Sequence, residues 1–195
     1  AGFNGNFWIF DYWRFGIGNS FGIFFAEKEY AMDITIIIPL YNEEESLPEL
    51  AEWIKRVVDV HNLSYEIIMI DDGSSDASWE VIENLKVKNS NIKGIKFQRN
   101  YGKSAALNEG FKAAAGDVVL TMDADLQDDI DVMEQMIQAY YRGDDIVFGV
   151  RSSRKKDSLI RKLASEGFYL FTRMLGIRIV PDHAHYRLMS RRAIE

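Results

Sequence analysis

Residues 117–128 read Asp-Val-Val-Leu-Thr-Met-Asp-Ala-Asp-Leu-Gln-Asp, and this stretch limits the choice of fold more than any other. Gly116-Asp117 is a turn signal. Val118 to Met122 is short, apolar and rich in β-branched residues, which predicts a buried strand rather than a helix. Asp123, Asp125, Gln127 and Asp128 follow at once. In an open parallel sheet, ligands bind just beyond the carboxyl ends of the strands. Carboxylates crowded at such an edge repel one another unless a cation joins them. Oxygen donors with no Cys in the chain and no His nearby suit Mg²⁺ or Mn²⁺ bridging a diphosphate. The plainer reading is a strand running into an acidic helix N-terminus, where the macrodipole favours Asp. A bare Asp-x-Asp does not separate the two.

The rest of the chain supplies the sheet that such a strand needs. Ile34 to Ile38 is a second buried strand, ended by Pro39. Ser46-Leu-Pro-Glu49 has the form of a capping box with Pro in the first turn. It opens a helix with Leu50, Trp53, Ile54, Val57 and Val58 at helical spacing. Tyr65 to Ile70 predicts another strand, and Asp76 a cap for a helix carrying Val81, Ile82 and Leu85. Ile92 to Phe97 follows as a strand, then an Ala-rich helix from Ser104 to Ala115 with Gly116 as its stop. After the central strand come a helix over about 130–141, stopped by Gly143, and a strand over 145–150. Strands alternating with helices predict an α/β fold, a mostly parallel sheet with helices on both faces.

Beyond Val150 the alternation breaks. Residues 158–175 place Ile160, Leu163, Phe168, Phe171 and Leu175 on one helical face flanked by Arg161, Lys162 and Arg173. That face suits either the sheet or a membrane interface. Ala184 to Met189 predicts a last short strand, with a helix starting at Ser190. Residues 1–31 stand apart: they hold 11 of the 25 aromatic residues, with no clear period. They are read as an extension, either atypical or an aromatic arm on an apolar surface, preceding a domain over 32–195.

Charge is unevenly placed. Residues 151–195 hold 11 Lys/Arg against 4 Asp/Glu, whereas the first 150 hold 12 against 26. A basic end on an acidic body points toward phosphates or an anionic membrane surface, and nothing suggests a nucleic-acid partner. The absence of Cys excludes disulfides and zinc–thiolate sites and fits a reducing compartment. No apolar run in the 195 residues is long enough to span a bilayer.

Four strand ends carry polar clusters: Pro39-Leu-Tyr-Asn-Glu-Glu44, Asp71-Asp-Gly-Ser-Ser-Asp76, Arg99-Asn-Tyr-Gly-Lys-Ser104 and Asp123 to Asp128. One such cluster is ordinary loop chemistry. Four at one edge of a parallel sheet converge into a site. Together with Gly149-x-Arg-x-x-Arg and Tyr186-Arg-Leu-Met-x-Arg, their order resembles the inverting family 2 glycosyltransferases of GT-A fold. Within these, it is most similar to the polyprenyl-phosphate group that includes dolichyl-phosphate mannose synthases and bactoprenol glucosyltransferases. The resemblance runs from Asp33 to about Arg192.

It implies a UDP- or GDP-linked sugar donor, a polyprenyl-phosphate acceptor and a Mg²⁺ or Mn²⁺ cofactor. Pro39, Tyr41, Glu43, Asp71, Lys103 and Asp123 would bind the nucleotide, and Asp123, Asp125 and Gln127 the metal. Arg151, Arg154, Lys155 and Arg187 would hold acceptor or donor phosphates, with Asp125, Asp182 and Arg151 at the reacting centre. For each there is a plainer role: helix N-terminal charge for Glu43 and Glu44, a turn for Asp72-Gly73, a solvated side chain for Lys103, a basic surface loop for 151–156. The segment Pro181-Asp-His-Ala-His-Tyr186 departs from the Gly/Cys-containing form common in the group, so His183 and His185 are read as solvent-facing or core-satisfied histidines rather than catalysts. Members anchored to membranes continue into further helices, so the chain is expected to be a shortened catalytic domain working at the cytoplasmic membrane face. A saccharide-hydroxyl acceptor and an inactive nucleotide-binding domain are the alternatives. A nucleotidyltransferase would carry a Gly-rich basic loop after the first strand, where this chain has an acidic one.

Overall fold

The apolar β-branched runs form the middle of one sheet. The computed structural model describes residues 7–13, 32–126, 130–151 and 183–194. In chain order the elements are β1 (Phe7–Trp13), β2 (Met32–Leu40), α1 (Leu47–Val60), β3 (Tyr65–Asp71), α2 (Ser78–Lys88), β4 (Ile92–Lys96) and α3 (Lys103–Ala113). Then follow β5 (Gly116–Thr121), α4 (Ile130–Tyr141), β6 (Ile146–Arg151), β7 (His183–Ser190) and α5 (Arg191–Ile194). Among the described residues the strands make one seven-stranded sheet in the order β1-β6-β7-β5-β2-β3-β4. The quartet β5, β2, β3 and β4 is parallel, while β7 runs antiparallel to both β5 and β6. The predicted fold class therefore holds.

Every residue from Ile34 to Leu40 is buried, because helices cover both faces of β2. Alternation sorts its side chains. Ile36 and Ile38 join Leu50, Ile54 and Val58 of α1, Ile82 of α2 and Met133, Met136 and Ile137 of α4 in one core. Ile37 points the other way, into a smaller core with Ile68, Ile70, Val119 and Ala106 and Leu107 of α3. Each such burial contributes about 1.5–3 kcal/mol before conformational entropy is counted.

Several local expectations are corrected. Pro39 lies inside β2, in register with Ile70, so the strand does not stop there. Ser46 stands at the N-cap of α1 without capping it, its hydroxyl donating instead to the Glu43 carbonyl at 3.0 Å. No reciprocal capping box forms. Asp76 accepts the Ser78 amide at 3.0 Å from just before the Ala77 N-cap of α2. Gly116 is not a helix stop but the first residue of β5, since α3 ends at Ala113. A Cβ there would lie 2.7 Å from the Ile34 carbonyl carbon, so the close approach of β5 to β2 needs a glycine. Residues 7–13, part of the segment without clear period, form an edge strand antiparallel to β6. The amphipathic segment at 158–175 lies outside the described residues.

At the amino-terminal edge of the sheet, away from the strand ends that carry the motifs, a buried carboxylate ties four segments together. Glu66 accepts the Thr35 hydroxyl, the Lys93 ammonium and the Ala115 amide, each at 2.6 Å, and Thr35 in turn accepts the Gly116 amide. Burial pushes its carboxyl up, but Lys93, Thr35 and Ala115 together outweigh burial and hold it below the usual glutamate range. Its stabilising contribution is therefore complete above the unfolded pKa and lost as pH falls through the lowered folded value. Glu66→Gln is expected to cost about 2–3 kcal/mol at neutral pH, the loss of charge-assisted bonds to a buried group. Urea unfolding between neutral pH and about pH 3 checks it, with the gap between wild type and variant narrowing at the acidic end.

Candidate active site

The loops after β2, β3, β4 and β5 close around one cavity of about 330 Å³ at the carboxyl edge of the parallel quartet. Each loop contributes. From the end of β2 and the first loop come Pro39, Leu40, Tyr41 and Glu43, from the second Asp72, from the third and the start of α3 Asn100, Gly102 and Lys103, and from the fourth Asp123, Ala124 and Asp125. The convergence expected of four polar strand ends is present.

The first two loops are laced to each other. Asn42, at φ 58°, donates its amide to Ser74 Oγ and accepts the Ser75 amide on Oδ1 at 2.8 Å. The Glu43 amide donates to Ser78 Oγ, its carboxylate accepts the Ser46 hydroxyl at 3.2 Å, and the residue lines the cavity. Glu44 accepts the Ala77 amide at 2.6 Å. Its helix-terminal role is thus real, but served to α2 rather than to its own helix. Tyr41 is about half exposed and lines the cavity.

Asp71 and Asp72 divide the work. Adjacent residues at a strand end point to opposite sides. Asp71 is fully buried and is not among the described residues that line the cavity; Oδ1 accepts the Ser74 amide at 2.8 Å, and Oδ2 is buried without a hydrogen-bond partner among the described residues. Asp72 does line it, and its two oxygens accept the Tyr101 and Gly102 amides at 2.7 and 2.9 Å. The plain turn expected at Asp72-Gly73 is therefore a clamp on the third loop. Phe97 and Arg99 support the same loop by packing on the Tyr101 ring, edge-on at 5.6 Å and as a cation over the face at 4.9 Å.

Lys103 is the first residue of α3, and its ammonium pairs with Asp123 Oδ1. Both side chains are partly buried, so the solvated reading of Lys103 does not describe it. Arg187 of β7 is in register with Thr121, the last residue of β5, which places it next to the Asp123 loop. Its guanidinium is half-buried, with Nε unpartnered among the described residues, and burial lowers its pKa. Arg151 closes β6, paired by backbone with Phe7. Gln127, Arg154, Lys155 and Asp182 lie outside the described residues. Asp72, Asn100 and Gly102, which lie in the polar strand-end clusters but had no binding role assigned from sequence, also line the cavity.

The donor set fits a divalent cation. Asp123 and Asp125 offer hard oxygen donors on one cavity wall, and Asp123 already draws a cation, the Lys103 ammonium. Among the described residues no three His, Cys, Asp or Glu side chains converge as a ready cage. Two carboxylates completed by phosphate oxygens and water is the arrangement Mg²⁺ ordinarily takes.

A profile described as "Glycosyl transferase family 2" matches residues 35–195. The uncharacterized glycosyltransferase YkoT of Bacillus subtilis is 38% identical over 170 residues, 83% of this chain and 50% of that protein. The prophage bactoprenol glucosyl transferase homolog of Escherichia coli is 34% identical over 165 residues, 84% of this chain and 54% of its own. An undecaprenyl-phosphate 4-deoxy-4-formamido-L-arabinose transferase of Aeromonas hydrophila is 42% identical over 134 residues, 68% of this chain and 41% of its own. The chain spans about half the length of the curated relatives it matches.

Among solved structures, glucosyl-3-phosphoglycerate synthase of Mycobacterium tuberculosis, in complex with Mn²⁺, UDP and phosphoglyceric acid, aligns with a TM-score of 0.61. It is 21% identical, over 83% of this chain and 57% of that one. A mannosyltransferase of Pyrobaculum calidifontis in complex with GDP-Man and Mn²⁺ gives 0.58 at 19% identity, over 84% of this chain and 46% of that one. At these identities the likeness concerns the fold, which is the GT-A fold expected from sequence.

Proposed function

The chain belongs to glycosyl transferase family 2, and from that membership we propose that its cavity transfers a sugar from a UDP- or GDP-linked donor to a polyprenyl phosphate, with Mg²⁺ or Mn²⁺ as cofactor. One observation carries the donor half of this reading. Among the described residues, Glu43, Asp72, Asp123 and Asp125 line the cavity against a single lining cation, Lys103. In a cavity of that sign, a divalent cation would offset the repulsion between these carboxylates and an anionic diphosphate. When bound, that cation stabilises the charge developing on the departing nucleoside diphosphate.

The protein's own groups do the rest. The Tyr41 ring supplies a face for the base, and the Glu43 and Asp72 carboxylates supply acceptors for base N–H and ribose hydroxyls. Asp71 supports this wall from its buried position. Asp123 and Asp125 hold the cation. Arg151 and Arg187 follow on the next two strands, where cations can hold phosphate oxygens of donor or acceptor.

The acceptor assignment rests on the relatives named for bactoprenol and undecaprenyl phosphate and on the basic composition beyond residue 150. A phosphate monoester is already largely ionised at neutral pH, so it needs positioning by cations more than a general base. Its oxygen attacks the anomeric carbon as the bond to the nucleoside diphosphate breaks on the opposite face. Asp182 is the carboxylate proposed to orient it. Work at the cytoplasmic membrane face is part of the proposal; among the described residues no helix is long and apolar enough to cross a membrane.

The experiment offers a short-chain polyprenyl phosphate and an oligosaccharide separately, with a panel of UDP and GDP sugars and Mn²⁺. Transfer to the lipid phosphate is expected, and Arg151→Ala with Arg154→Ala should lower its kcat/KM roughly a hundredfold, the loss of two charge-assisted contacts. Transfer to the oligosaccharide alone overturns the acceptor, and wild-type rates in the double variant overturn the basic clamp.

A further inference from the structure

The Lys103–Asp123 pair stands where a metal and a diphosphate would meet. Three features fix it there. Lys103 opens α3 directly after Gly102, whose φ of 91° turns the chain into the helix. The Asp72 carboxylate pins the preceding backbone by accepting the Tyr101 and Gly102 amides. The ammonium then reaches across the cavity to Asp123 Oδ1, from the loop after β4 to the loop after β5. The two side chains remain 34% and 27% exposed, so the pair is partly shielded and still open to exchange.

We infer that Lys103 is a placeholder cation, which occupies the metal's carboxylate while the site is empty and moves onto the donor diphosphate when metal and nucleotide arrive together. The inference rests on the nucleotide-sugar reading of this cavity. An ammonium and a divalent ion compete for the same carboxylate oxygen, so metal alone must displace Lys103 with nothing to receive it. The three further carboxylates that line the same cavity are already committed: Glu43 accepts the Ser46 hydroxyl, Asp72 accepts the Tyr101 and Gly102 amides, and Asp125 would hold the metal. A diphosphate changes the balance. Its oxygens would offer the ammonium a partner of greater charge than the carboxylate it left, while Asp123 and Asp125 would hold the metal. The four-carbon stem and rotatable donors of lysine allow the move without backbone change. Metal and nucleotide therefore bind as a coupled pair, each raising the affinity of the other by the same factor.

The test uses Lys103→Met, which keeps the stem and removes the charge. Calorimetric titrations measure Mn²⁺ alone, UDP and GDP alone, and each nucleotide at saturating Mn²⁺. In the variant, Mn²⁺ alone is expected to bind roughly two- to fivefold tighter, the size of a partly exposed ion pair no longer in competition. Nucleotide affinity at saturating Mn²⁺ is expected to fall roughly tenfold or more, since a charge-assisted contact to the diphosphate is gone. Opposite signs in the two titrations are the signature of exchange. An Mn²⁺ affinity that is unchanged or weaker overturns the inference and makes the pair purely structural. Wild-type protein that binds neither nucleotide at any Mn²⁺ concentration overturns the nucleotide-sugar reading itself, and the inference with it. Lys103→Gln gives the same readout should the Met variant unfold.

Discussion

Asp125→Asn is expected to remove Mn²⁺-dependent binding of UDP or GDP while leaving the unfolding free energy within about 0.5 kcal/mol of wild type. The asymmetry follows from where Asp125 stands. It lines the cavity and is exposed, on a short loop just past β5, so the core does not rely on it. Neutralising it removes one of two described carboxylates able to hold the cation. Altering residues that only orient metal ligands typically costs 10- to 100-fold in affinity, so losing a ligand should cost on the order of a hundredfold or more. The fold does not suffer, because crowded carboxylates destabilise the empty site if they do anything to it. Calorimetry with and without Mn²⁺, beside a urea titration, measures both halves. Undiminished binding of the metal–nucleotide pair by the variant would remove Asp125 from the site.

How far this arrangement could be read beforehand depends on whether the signal was local. The runs of β2, β3 and β5 are legible because both faces are covered, which leaves an uninterrupted apolar stretch. The site was legible at the level of loops, since strand ends of a parallel sheet must converge wherever their residues lie in sequence. Three things were not. Phe7–Trp13 shows no alternation, and its partner β6 lies more than a hundred residues away, so its pairing leaves no local trace. The antiparallel course of β7 is a property of the connection before it, not of the strand's own residues. The division between Asp71 and Asp72 depends on which side of β3 faces the cavity. Both are acidic and both end the strand, so composition alone cannot rank them. Gly116 misled because a glycine after a helix ordinarily stops it, whereas this one serves a close strand contact against β2.

Gly73→Ala should be the most damaging single-methyl change near the site, because it acts on two loops at once. Gly73 sits at φ 76°, where an L side chain is strained by roughly 1–2 kcal/mol. Space is the second problem. An added Cβ would lie 2.6 Å from Arg99 Cα and 2.7 Å from the Asn100 nitrogen. Those are backbone atoms, which cannot rotate away as the end of a side chain would. The third loop must shift as a body, and it carries Asn100, Gly102 and Lys103. The same shift pulls the Tyr101 and Gly102 amides off Asp72, exposing a buried carboxylate to the loss of both its partners. Strain and overpacking together predict a loss of about 2–4 kcal/mol in unfolding free energy. Nucleotide affinity should fall at least roughly tenfold in the fraction still folded, because the displaced loop no longer presents Lys103 where the diphosphate would bind. Asp72→Ala provides the comparison. It breaks the clamp without the clash, so it should share the affinity loss and show a smaller stability loss. A Gly73→Ala protein that matches wild type in both urea unfolding and Mn²⁺–nucleotide titration would mean the third loop yields freely, and then neither Asp72 nor Gly73 positions Lys103.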